Sequence, residues 1–130
     1  MTSDLILATA GYDHVIRFWD ASSGLTKTSI EFPNTQVNKM TLSNDGKYLA
    51  VAAHNLVKVF DLSPESFASE VQYEGHTGNI TAIGFQSENK WFFTASEDAT
   101  LKIFDFKKTG FMRNFENNSV MVNTAVLHSN

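Results

Sequence analysis

Apolar and polar side chains alternate along this chain in short bursts, and the bursts recur. In Leu101-Lys102-Ile103-Phe104-Asp105, successive residues fall on opposite sides of an extended segment, which is the period of a β-strand. Apolar residues seldom stand at the i, i+3, i+4, i+7 spacing of an amphipathic helix, so no helix is predicted. In chain order the pattern predicts strands over residues 4–10, Val15–Asp20, Thr26–Glu31, Val37–Leu42, Tyr48–Ala52 and Leu56–Asp61. It continues with Phe67–Tyr73, Ile80–Phe85, Trp91–Ala95, Leu101–Phe106, Phe111–Phe115 and Val120–Leu127. Turn residues separate them: Gly11-Tyr12-Asp13-His14, Asn44-Asp45-Gly46-Lys47, Ser87-Glu88-Asn89-Lys90 and Ser96-Glu97-Asp98-Ala99. Gly46 supplies the positive φ that a tight hairpin requires.

The strands come in a repeating order. An aromatic-Asp pair closes a strand at Trp19-Asp20, Phe60-Asp61 and Phe104-Asp105, at intervals of 41 and 44 residues. A period in the low forties with that ending is the signature of four-stranded propeller blades. The fold class is therefore all-β, a propeller of about three blades, in units of about 4–44, 48–87 and 91–130. Lettered a to d from centre to rim, the strands run b-c-d, a-b-c-d, a-b-c-d and a lone a. Closed propellers use about four to eight blades. A blade face of four short strands covers roughly 300 Å², and leaving it wet forgoes on the order of 7 kcal/mol. The 130 residues are thus expected to belong to something larger, either a longer reading frame or a ring of several chains, and not to a self-contained monomer.

Composition narrows the function. Hydrophobic residues make up 42% of the chain and aromatics 12%, which suits a packed core and not disorder. The net charge is −4, and its ten basic residues are scattered singly. No basic stripe offers a nucleic-acid backbone the contacts that affinity needs. The absence of cysteine excludes disulfides and thiolate metal sites. Leu5–Ala10 is short, follows Asp4 and has no positive segment before it, so it reads as a buried strand and not a secretory signal. No segment reaches the length of a membrane span, and a cytoplasmic location is expected. His14, His54, His76 and His128 lack metal-ligand spacing, and Gly75-His76-Thr77-Gly78 has neither the Lys nor the helix of a phosphate loop. No metal or cofactor is predicted.

At its repeated motifs the chain resembles the WD-repeat family. In that family a His of a Gly-His pair, a Ser or Thr on strand b, an Asp in the b–c turn and a Trp on strand c share hydrogen bonds. The third unit matches best, with Gly75-His76, Ser96 and Asp98 at the family positions. Its strand-c aromatic is Phe104, which has no indole N–H, so the resemblance implies a polar chain shortened to Asp98, His76 and Ser96. The first unit has Asp13, Trp19 and Asp20 but Gly11 where Ser would stand; the second has His54 in the turn with Phe60 and Asp61. Ala99 replaces the usual turn Gly. The resemblance implies a degenerate member held more by apolar packing than by the polar motif.

Ala10-Gly11-Tyr12-Asp13-His14, Gln36-Val37-Asn38, Glu74-Gly75-His76-Thr77-Gly78-Asn79-Ile80-Thr81 and Ser96-Glu97-Asp98 make the chain similar, within that family, to the small WD-repeat subunits of target-of-rapamycin kinase complexes. That similarity implies a non-catalytic scaffold that binds and stabilises the kinase. His76, Asp98 and Ser96 also have the residue types of a hydrolase triad, but a triad needs a reachable nucleophile, an oxyanion hole and a substrate pocket. Here their expected task is to tie loops to strands. Partner contact is expected on the rim where the d–a and b–c turns gather: Tyr12, His14, Asn34, Thr35, His54, Asn55, Thr77, Asn79 and Asn118. The other reading is a general WD-repeat adaptor, such as a ubiquitin-ligase substrate receptor.

Overall fold

The structure is a computed structural model, and it describes residues 5–32, 35–63, 65, 67, 69–88, 90–105, 111–116, 122 and 124–128. Among these the chain is all-β. The strands are β1 (Ile6–Ala10), β2 (Val15–Asp20), β3 (Thr26–Glu31), β4 (Val37–Leu42), β5 (Tyr48–Ala53), β6 (Leu56–Asp61), β7 (Ser69–Tyr73), β8 (Ile80–Phe85), β9 (Trp91–Ser96), β10 (Leu101–Asp105) and β11 (Phe111–Phe115). Hydrogen bonding groups them into a three-stranded sheet β1-β2-β3 and two four-stranded sheets, β4-β5-β6-β7 and β8-β9-β10-β11. Every pairing is antiparallel, as short hairpin connections require. Small antiparallel sheets of this size, one after another along the chain, are what propeller blades consist of. The predicted strand over Val120–Leu127 does not form among its described residues, because no described strand lies beside it to share a ladder.

The chain divides into two compact units, Met1–Val37 and Asn38–Asn130. In the first, β2 sits between β1 and β3 and buries Ile16 and Phe18 completely. The strand-end carboxylate of Asp20 accepts the Ser22 amide at 2.9 Å and the Ser22 hydroxyl at 2.6 Å. Those bonds lower its pKa and turn the chain sharply toward β3.

In the second unit the two four-stranded sheets pack face to face. The seam is apolar: Ala50, Ala52, Val57 and Val59 of one sheet meet Ile80, Phe85, Phe92 and Phe104 of the other, with Tyr73 between. Phe92 stacks on Phe104 with ring centroids 5.2 Å apart, and Tyr73 meets Phe92 edge-on at 4.9 Å. Burial, followed by the charge of Asp105, pushes the Tyr73 phenol up to about 12. Polar bonds close the seam at both ends. Asn44 donates to the Gln86 carbonyl at 3.2 Å at one end. At the other, the Ile80 amide donates to the His54 carbonyl at 2.7 Å. Gly46 takes φ 72°, as its hairpin demands.

Candidate functional site

The third blade carries the densest polar cluster. Its b–c hairpin pairs Leu101 with Ala95 and sets the Ser96 amide on the Thr100 carbonyl at 3.1 Å, leaving the loop Glu97-Asp98-Ala99, whose last residue lies in the left-handed region at φ 69°. That loop aims Asp98 back at its own backbone: Oδ1 accepts the Thr100 amide at 2.9 Å and the Thr100 hydroxyl. Oδ2 accepts the Thr77 amide at 3.0 Å and lies 2.9 Å from His76 Nδ1. Gly78 lets the incoming loop approach, since a Cβ there would stand 3.0 Å from the Asp98 nitrogen. Burial raises the Asp98 pKa, but the bonds from Thr100, Thr77 and His76 outweigh it and hold the carboxyl far below its usual range.

His76 is 4% exposed. Its Nε2 lies 2.6 Å from the Thr94 hydroxyl. Desolvation lowers its pKa more than the neighbouring Asp98 raises it, and Lys102 lowers it further. A neutral ring donates from Nδ1 to Asp98, with the Thr100 hydroxyl 3.2 Å from the same nitrogen, and accepts from Thr94 at Nε2. The arrangement fixes a loop to a hairpin. Ser96, the residue a triad would use as nucleophile, is fully buried, as is Thr94.

The structure therefore revises the expected chain. The β9 hydroxyl that meets His76 is Thr94, not Ser96, which accepts the Asp98 amide at 3.1 Å and shapes the turn. Register explains the difference. Thr94 stands opposite Lys102, two residues before Phe104, whereas Ser96 has already passed the last β10 partner, Leu101. The first blade repeats the position: Thr9 stands opposite Arg17, two residues before Trp19, and Trp19 Nε1 donates to Thr9 Oγ1 at 2.9 Å. In the second blade the same register place, opposite Lys58, holds Val51, fully buried. Each blade thus keeps a different part of the polar motif. The signal in the sequence was the repeated Thr at this offset before the strand-c aromatic.

Asp13 repeats the Asp98 turn, accepting the Val15 amide at 3.3 Å while pairing with Arg17 at 2.8 Å. Arg17 accordingly draws its pKa down. Asp61 accepts the Ser63 amide at 2.8 Å, matching Asp20. Phe60 and Phe104 are buried. Lys102, 5% exposed, reaches Asn114 at 2.9 Å.

The predicted rim residues divide. Tyr12 is 84% exposed. His14, left-handed at φ 66°, bonds the Thr35 carbonyl through Nδ1. His54 and Asn79 meet, Nδ1 to Oδ1 at 2.9 Å, and Asn38 donates to the same Oδ1 at 3.2 Å. Asn55 and Thr77 are exposed, while Asn34 and Asn118 lie outside the described residues. Among the described residues no group of three or more His, Cys, Asp or Glu could hold a metal, and no helix among them is long and apolar enough to cross a membrane.

Comparison with known proteins agrees with the blades. Residues 68–105 match the WD domain, G-beta repeat family. Over 97% of its length the chain is 40% identical to the target of rapamycin complex subunit LST8 of Saccharomyces cerevisiae. It is 41% identical over the same share to subunit LST8-1 of Arabidopsis thaliana, and 34% identical to LST8 of Mus musculus. It spans about two fifths of the length of these relatives, 41%, 41% and 39% respectively. With its blade order, its repeated turn carboxylates and these relatives together, the chain belongs to the WD-repeat family.

Proposed function

We propose that the chain acts as a non-catalytic scaffold subunit of a target-of-rapamycin kinase complex in the cytoplasm, binding the kinase through its turn-rich rim and stabilising it. The observation that carries this reading is the 40–41% identity, across nearly the whole chain, to proteins named as subunits of such complexes. The site chemistry supports it. His76, Asp98 and Thr94 are spent on one another inside the blade, whereas Tyr12, Asn55 and Thr77 present polar edges to solvent. A scaffold needs that division: a rigid interior, and loops that can be matched to a partner without disturbing it.

The test is affinity capture of the tagged protein from its own cells, with the kinase identified by mass spectrometry and its activity measured with and without the subunit. Recovery of the kinase, with activity falling when the subunit is removed, is expected. Capture of a ubiquitin-ligase core without the kinase would replace this reading with the general adaptor.

A further inference from the structure

We infer that His54 is a contact residue of the rim, held so that its Nε2 accepts a hydrogen bond from a lysine- or arginine-bearing segment of the kinase. This rests on the scaffold reading above and names the chemistry of one point on its rim.

The first observation is conformational. His54 lies in the left-handed region at φ 55°, two residues ahead of Leu56, where β6 first pairs back with β5. A residue with a Cβ is strained there. The turn itself does not call for a ring. Ala99 holds the same place ahead of Leu101 at φ 69°, and glycine fills the left-handed positions at Gly24 and Gly46. Strain of this kind collects where a side chain serves something beyond the fold. His14 repeats the construction in the first blade, at φ 66° and two residues ahead of Ile16.

The second observation fixes the ring. His54 Nδ1 lies 2.9 Å from Asn79 Oδ1, which also accepts from Asn38 Nδ2 at 3.2 Å. An oxygen accepts, so Nδ1 carries the proton, and the neutral ring keeps its lone pair on Nε2. His14 is set the same way, since its Nδ1 meets the Thr35 carbonyl. His54 and its neighbour Asn55 are exposed. Among the described residues no hydrogen bond engages His54 Nε2.

The third observation selects the partner group. The Glu97 amide donates to the Asn79 carbonyl at 2.9 Å, and Glu97 is exposed. A carboxylate therefore tops the turn next to the one that offers the lone pair. Two acceptors on neighbouring turns suit an ammonium or guanidinium group, which only donates.

Affinity capture of the tagged protein from its own cells, with the kinase quantified, tests this beside urea unfolding of each purified variant. His54→Gly is expected to cut kinase recovery about tenfold, the loss of one hydrogen bond to a charged group. Its urea midpoint should be no lower than that of the unaltered protein, because glycine relieves the left-handed backbone. Glu97→Lys should also cut recovery, by placing a like charge against the basic segment. Undiminished recovery with His54→Gly, or a fall in its urea midpoint, overturns the inference and leaves the scaffold reading in place. Loss with His54→Gly but none with Glu97→Lys overturns the basic segment. Failure of the unaltered protein to recover the kinase overturns the scaffold reading, and this inference with it.

Discussion

Thr94→Val tests the central argument about the polar cluster. The substitution keeps the shape and the β-branch of a fully buried residue and removes only the hydroxyl 2.6 Å from His76 Nε2. The ring nitrogen then loses its partner in a site closed to water, a cost of about 1–3 kcal/mol. The added methyl regains at most about 0.8 kcal/mol by burial, so a net loss of about 1–2 kcal/mol is expected. Val51, at the same register place in the second blade, shows that the backbone accepts valine here without strain. The assay is urea unfolding followed by tryptophan fluorescence, run for Thr94→Val, His76→Leu and the double variant. The two single losses must not add, because the double variant removes donor and acceptor together. Strict additivity, or a Thr94→Val loss below about 0.5 kcal/mol, would refute the idea that this bond holds the loop.

Three further outcomes are expected. Ala99→Gly should raise stability by about 0.5–1 kcal/mol in the same assay, since glycine relieves the left-handed strain at φ 69° while losing part of that gain to unfolded-chain entropy. Gly84→Ala should lower it by about 1–3 kcal/mol, because the new Cβ would lie 2.6 Å from the ring of the buried Phe93; no loss would show that the ring has room to move. Stability should fall with acidification in two stages seen in urea midpoints. His76 has a folded pKa below 6.5, so its contribution declines as pH drops under that value. Asp98 has one below 3.8, so its contribution is full above that pH and is lost as pH falls toward the folded value. His76→Leu should abolish the first stage and shrink the second, since one of the bonds that hold Asp98 down is lost with it.

Much of this architecture was legible because a half-buried strand advertises itself by alternation. Val15–Asp20, Leu56–Asp61 and Ile80–Phe85 fall where the pattern put them, since each must send one row of side chains inward. Three features resisted. Thr94 and Ser96 lie on the same side of one strand, and only the cross-strand register, which depends on loop length, decides which of them meets His76. Val120–Leu127 has a strand's composition, yet a strand exists only with a neighbour, and pattern alone does not say whether one is at hand. Nor does the pattern tell which rim turns meet: His54 and Asn79, both expected partner residues, are joined to each other and Asn79 to Asn38, because turns at the same end of adjacent blades come within hydrogen-bond reach.

The seam between the second and third blades is dry along its middle and stoppered at each end, by Asn44 on Gln86 and by Ile80 on His54. Opening the seam means breaking those bonds and exposing its apolar middle together. Amide protons of β5 and β9 should consequently exchange together, at the slowest rate in the chain, and the two sheets should part as one event or not at all.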